Sequence, residues 1–580
     1  MLQALVERYE TECKEGRLPR DGWEYRGVLF ALVLSEAGDL LQVMPLAQQT
    51  MRGKKQVNVP RRIIVPMGET RASGICPFFL CDNSSYFLGM DEKGKAKRTA
   101  ECFAAAKKLH EEVLGGVQSE AARAVLAFFE RWQGGKEVLH THPALAPYAA
   151  EISAGANLVF RVARTFVHED PAVCEAWEKY LDASGSKEKR RCLVTGTLAP
   201  IAVKHPALKG VTGAQATGAL LVSFNANAYE SYGHDGEQGG NAPVSKKAAF
   251  AYGTALNALL FDHKHKKIIG DTTVVYWAGE KNEAAQEVFC GMYLDDGTNP
   301  MTDDLLEVIL QKVQAGEAID YQGVDIPYDN PFYILGLAPN AARVSVRFFL
   351  QGFFGDFLKN IALYMEQMEI VRPKWETRKY VLLWELLLET VNPNAKVQMA
   401  SPIMAGAMMR SILTGSKYPV SVFQNILLRI RAEQGAKKIN ARRAGFLKAY
   451  FMRNRGRKMT VALDENSTDV AYLLGRWFAV LEKAQEQANP EIKATIRDRF
   501  FNSACGTPAY VFPFLQKLSL HHMKKLEGAD KVRVDQFLTQ IFEKLGTGSL
   551  PRRLSLEKQG IFILGYYHQR QKWYEKKEEK

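Results

Sequence analysis

Asn466-Ser-Thr-Asp-Val470-Ala-Tyr-Leu-Leu-Gly475-Arg-Trp-Phe-Ala-Val-Leu-Glu-Lys-Ala-Gln485 reads as a capped helix. Asn466 or Ser467 can accept hydrogen bonds from the first orphan N–H groups. Val470, Leu473, Leu474, Trp477, Phe478 and Leu481 then recur at i, i+3 and i+4 as an apolar stripe. The same period extends on both sides of this stretch. From about Trp375 leucine, methionine and alanine keep helical spacing, and Pro393, Pro402, Pro419, Pro490, Pro508 and Pro513 punctuate successive helices. Before Trp375 the signals are mixed. Arg61–Pro66, Leu220–Phe224 and Thr272–Trp277 are short β-branched runs and predict strands, and the apolar run Val28–Leu34 predicts a buried one. Thr99–Leu114, Ser119–Trp132 and Lys246–Leu260 predict helices. The fold class that follows is α+β. It comprises a mixed body over residues 1–370 with large ordered loops, a helical basic connector over 371–458, and an all-helical bundle over 459–580.

At 580 residues the chain exceeds what one hydrophobic core ordinarily serves, so several domains are expected. Eight cysteines are scattered without repeated spacing, as in proteins of a reducing cytoplasm. Cys76 and Cys81 are the one close pair, and no second ligand pair follows at zinc-knuckle spacing. The N-terminal residues show neither a signal peptide nor an apolar run long enough to span a bilayer. The net charge of +12 points to a phosphate-rich partner. That charge is concentrated. No acidic residue occurs between Glu433 and Asp464, an interval holding Lys437, Lys438, Arg442, Arg443, Lys448, Arg453, Arg455, Arg457 and Lys458. Such a block repels itself unless an anion neutralises it; a nucleic-acid backbone is the expected anion, and a solvated face is the other reading.

Catalytic signatures are missing. Gly89-Met-Asp-Glu-Lys-Gly-Lys95-Ala96 imitates a P-loop but ends in alanine where a magnesium-binding hydroxyl belongs, and it carries two carboxylates. No H-E-x-x-H or G-x-S-x-G occurs. His263, His265, His521 and His522 sit among lysines or side by side, which makes poor ligand sets, and Asp303 and Asp304 read as charges at a helix N-terminus. The sequence argues for binding, with no cofactor and no metal.

Three segments look built for recognition. The first runs from Arg71 through Ser73 and Asn83 to Gly89. The second includes Lys209-Gly-Val-Thr-Gly213-Ala-Gln215-Ala-Thr-Gly218, then Asn225, Asn227, Gln238 and Asn241. The third is Tyr333 to Phe349, with Arg343 and Arg347 read as one helical turn apart, able to grip an RNA backbone or to pair with acidic neighbours. Glycines let a backbone approach a groove closely, and Asn and Gln carry the donor–acceptor pairs that read base edges. Lys209 and Arg71 can neutralise flanking phosphates.

These segments, with the N-terminal Leu-Gln-Ala-Leu-Val-Glu-Arg-Tyr and Phe562-Ile-Leu-Gly-Tyr-Tyr-His-Gln-Arg570, resemble the large subunit of the type I-C CRISPR Cascade complex. The resemblance implies a non-catalytic subunit that reads a protospacer-adjacent motif in double-stranded target DNA, aids duplex opening and holds the displaced strand. Its implied partners are crRNA, the Cascade backbone and crRNA-processing subunits, a small subunit and a helicase-nuclease, with no membrane. It also implies Met459 as an internal start for a separately made C-terminal portion. Two other readings are a metal-dependent nuclease and a basic RNA or protein scaffold that reads no DNA motif.

Overall fold

The computed structural model describes every residue of the chain except 53–54, 69–73, 92–95, 135, 184–188, 225, 232, 235, 280–282, 295–300, 397, 436–437 and 575–580. Two compact units are formed, one from residues 1–208 and 220–258, the other from 209–219 and 259–580. The fold is mixed α+β, with the strands in the N-terminal part and, among the described residues, helices alone after residue 354.

In the first unit Phe30–Leu34 is a central strand. It pairs antiparallel with Leu40–Pro45 and parallel with Leu158–Val162, in register from Phe30 opposite Leu158 to Leu34 opposite Val162. Alternate side chains go to opposite faces. Phe30, Leu32 and Leu34 enter a large core with Phe87, Phe128 and Phe129, while Ala31 joins Val159 and Cys81 in a smaller one. Burial on both faces explains why the segment reads as an unbroken apolar run. Trp23–Val28 pairs with Arg61–Pro66, the strand expected there. The expected helices form as Ala96–Leu114, Glu120–Arg131 (capped by Ser119) and Lys246–Phe261. The Leu220–Phe224 strand shrinks to Ala219–Leu220, after which the chain bends toward a single 3-10 turn at Asn227–Tyr229.

His110 sits fully buried in the aromatic core, its ring 4.6 Å from that of Phe129. Its Nδ1 donates to the Ala106 carbonyl at 2.7 Å, and its Nε2 accepts from the Leu80 N–H at 3.1 Å. Both bonds exist together only in the neutral ring. Burial accordingly lowers its pKa from 6.5 to about 4. The unfolded chain takes up this proton below pH 6.5, whereas the folded one resists until about pH 4. The contribution to stability is therefore complete above pH 6.5 and declines as pH falls toward 4. At pH 5 the loss is about 2 kcal/mol for this one group. His110→Gln should lower stability at pH 7 yet flatten the decline between pH 7 and 5 by that amount in denaturant titrations. An unchanged decline would clear His110 of this role.

In the second unit Lys266–Ile269, Thr272–Ala278, Pro331–Asn340 and Arg343–Phe353 are successive antiparallel neighbours. Arg343 and Arg347 thus lie on a strand, which corrects the helical-turn expectation. The run Arg343-Val-Ser-Val-Arg347 alternates with period two, and Val344 is buried. Gly336 pairs with Phe348 and Leu337 with Val346, so Arg347 is the extra residue of a bulge.

Val274, Tyr276, Phe332 and Phe348 share one core with the helices that follow, and that core runs through to Trp573. Residues 371–458 and 459–580 both contribute to it. Tyr567 donates to the Val371 carbonyl at 2.7 Å, and Met459 packs half-buried against the core. The helix Val470–Ala488 is capped by Asp469, whose side chain accepts from the Ala471 N–H at 3.0 Å; neither Asn466 nor Ser467 is the cap. The expected apolar stripe is also corrected. Every residue from Ala471 to Glu482 is buried, because this helix is the axis of the bundle and other helices surround it. It crosses Leu556–Lys572 at Gly475 and Gly565, so closely that a Cβ at 475 would lie 1.9 Å from the Phe562 carbonyl oxygen. Among the described residues no helix is long and apolar enough to cross a membrane.

Candidate nucleic-acid interface

The segment Lys209–Ala219 is an exposed loop with fixed ends. Val211 and Ala219 are buried anchors. The Thr212 N–H donates to Thr273 Oγ1 at 2.9 Å, and the Gly218 N–H donates to the Gln215 carbonyl at 3.0 Å, closing a turn. Gly213 has φ +78, and its Cα packs so close to the Pro339 ring that a Cβ would approach within 3.2 Å. Any larger residue there meets both the left-handed backbone and that ring. Gln215 consequently sits exposed on a pinned backbone, its side-chain amide without a hydrogen-bond partner among the described residues. Lys209 is exposed at the loop's start. Pro339 pairs with Val344, which places the Arg343 end of the hairpin beside Gly213. Arg347 pairs with Asp271 at 3.2 Å.

In the first unit the amide-rich loop is held by its own side chains. Asn241 Oδ1 accepts from the Ser231 N–H at 2.9 Å, and Nδ2 donates to the carbonyls of His234 and Gln238, both at 3.1 Å. Asn241 is therefore a strut of the loop, which corrects its reading as a base-edge contact. Gln238 is half-buried at φ +47, and its N–H donates to Glu230 Oε1 at 3.3 Å. Glu237 binds Arg190 at 2.6 Å and His234 at 2.9 Å, and the Arg190 hydrogen bond holds its carboxyl below the ordinary range. Asn227 remains exposed. The Asn83 side chain accepts from the Ser85 N–H at 3.1 Å and caps the short helix Ser84–Phe87. Arg71, Ser73, Asn225 and Lys437 lie outside the described residues.

The basic block finds its anions inside the chain. Arg443, 4% exposed, binds Glu433 through both Nη atoms at 2.8 and 2.9 Å and Glu389 through Nε at 2.8 Å. Arg442 takes Glu385 at 3.0 Å, Arg457 takes Asp469 at 3.2 Å, and Arg455 pairs with Glu557. Lys438 is buried with its ammonium 4.5 Å from the Phe501 ring centre, a position in which desolvation lowers its pKa. Lys438 and Arg443 are thus corrected as phosphate contacts, since both are enclosed in the protein. Lys458 is exposed and has no acidic partner among the described residues. A further concentration of positive charge lies in the first unit around Arg61, Arg161 and Arg164. Sequence reading missed it because a hundred residues separate Arg61 from the other two.

The chain thus carries an exposed, anchored loop whose Gln215 amide has no partner among the described residues, and basic side chains that are partly spent on internal ion pairs. No curated protein matches it. The family model described as CRISPR-associated protein (Cas_Csd1) matches residues 5–574, nearly the whole length, and the chain belongs to this family, the large subunits of type I-C Cascade.

Proposed function

We propose that this subunit, without catalysing a reaction, reads the protospacer-adjacent motif of target DNA through the Lys209–Ala219 loop of a crRNA-guided complex. The observation that carries the reading is the exposed, unengaged Gln215 amide on a backbone that its anchors hold still. A side-chain amide offers a donor and an acceptor in one plane, the pairing an adenine edge presents in the major groove. Lys209 supplies charge for a flanking phosphate, which positions the duplex without specifying sequence. Asn227 is a second exposed amide, on the first unit's loop. Opening of the duplex, retention of the displaced strand and reception of a helicase-nuclease belong to the same proposal, as does assembly with crRNA and the other Cascade subunits.

The test is binding of the assembled complex to duplexes with and without the motif. Gln215→Ala should lose about 1–3 kcal/mol of discrimination while its affinity for motif-free duplex holds. Asn241→Ala, which loosens the loop of the first unit, should leave that discrimination in place. Full preference in Gln215→Ala would overturn the assignment. Cleavage of the duplex by the subunit in magnesium or manganese would favour the nuclease reading instead.

A further inference from the structure

The first unit has an open cleft of about 520 Å³ lined by Met44–Gln48, Arg61, Arg161, Arg164, Phe166 and Glu169. The strand Leu158–Val162 turns back into Thr165–Phe166 through Ala163 and Arg164, with Ala163 at φ +50. An alanine in the left-handed region is strained, and here it serves a turn that projects Arg164 at the cleft. Arg161 lies opposite Phe166 in the pairing, its guanidinium 5.8 Å from the centre of the phenyl ring. Its Nη1 lies 2.8 Å from Met44 Sδ, and its Nη2 donates to the Arg164 carbonyl at 3.1 Å. Its Nε is buried, with no hydrogen-bond partner among the described residues.

None of these groups neutralises the cation. A thioether is a weak acceptor, and a carbonyl carries no charge. The contrast is with Arg443, which is buried and takes two carboxylates. Arg61 and Arg164 are exposed, and among the described residues neither has an acidic partner within 4 Å. Among the described residues Glu169 is the one carboxylate lining the cleft. A fixed guanidinium with unused donors, flanked by two further arginines, is a place for an anion. The volume exceeds what a lone inorganic phosphate needs and suits a nucleotide within a strand.

We propose that this cleft binds the sugar-phosphate backbone of a single-stranded nucleic acid, one phosphate on Arg161 and its neighbours on Arg61 and Arg164. The inference rests on the reading of the chain as a nucleic-acid-binding subunit, but on a surface distinct from the Lys209–Ala219 loop. The full chain is titrated with motif-free oligouridine and oligothymidine over a range of salt concentrations, with a polyglutamate peptide and inorganic phosphate as comparison ligands. Arg61→Ala/Arg164→Ala alters exposed side chains only, and Arg161→Met tests the fixed one. The double variant should lower the slope of log affinity against log salt by roughly 1.4, at roughly 0.7 per phosphate contact on a single strand. The two oligonucleotides distinguish RNA from DNA as the bound strand. An unchanged slope and affinity in the double variant would overturn the proposal. So would polyglutamate or phosphate binding that the variants abolish while oligonucleotide binding stays intact. Motif discrimination by the assembled complex reports separately on Gln215, so either assignment can fail alone.

Discussion

Gly475→Leu should leave the second unit without a cooperative unfolding transition, and even Gly475→Ala should cost about 3 kcal/mol or more. The added Cβ would lie 1.9 Å from the Phe562 carbonyl oxygen and 2.8 Å from the Tyr566 nitrogen. On the facing helix, a Cβ at 565 would meet the Tyr472 carbonyl at 2.1 Å. These obstacles are backbone atoms, which cannot rotate aside as a side-chain tip can. The helices would have to separate along their length, opening the packing of Phe478, Phe501 and Phe562. Gly406→Ala is the matched control. It lies inside the helix Pro402–Thr414 with nothing within 4 Å of the new methyl, so helix propensity alone should make it neutral or stabilising by up to about 1 kcal/mol. Equal denaturation midpoints for Gly475→Ala and the native chain would mean that the two helices do not cross this closely.

Arg443→Met should destabilise the second unit by about 1.5–3 kcal/mol, because Glu433 and Glu389 lose their buried partner and keep only Arg429 and Arg442. Burial pushes the Glu433 carboxyl up, but hydrogen bonds from Arg443 and Arg429 outweigh it and hold the group below its ordinary range. Removing Arg443 should therefore raise the Glu433 pKa, which carboxyl-resolved NMR titration can follow. Lys458→Ala, on the exposed end of the same block, should change stability by less than about 0.5 kcal/mol. If Lys458 touches a phosphate, its loss reduces the salt slope by roughly 0.7 to 0.9 with no change in unfolding. Near-native stability of Arg443→Met would mean that these buried ion pairs do not hold the second unit together.

The two cases show what a sequence reveals and what it hides. Local periodicity placed Ala96–Leu114 and Arg61–Pro66 well, since helix and strand periods are written in neighbouring residues. The Gln215 loop was legible for the same reason: glycines at 210, 213 and 218 mark a backbone that only the left-handed region satisfies. The basic block misled because its counterions come from Glu385, Glu389, Glu433, Asp469 and Glu557, all outside the acid-free interval. Asn241 looked like a reader because its amide is suited to base edges, yet Ser231, His234 and Gln238 use it first. The Arg61–Arg161–Arg164 cleft exists only because strands of two different sheets, distant in sequence, line it together.

The glycine crossing also bears on how the protein is made. The axial helix ends at Ala488, but the helix that seats against Gly475 begins at Leu556. A ribosome adding ~5–20 residues per second needs roughly 3–14 s to bridge that interval. Through those seconds the face of the axial helix at Gly475 lacks its closing partner, and the nascent chain presents an apolar surface there. A growing polypeptide in that state is a client for chaperones that shield such surfaces. Slow codons placed between 488 and 556 would lengthen its exposure and lower the yield of folded subunit, whereas the same codons after 572 would not.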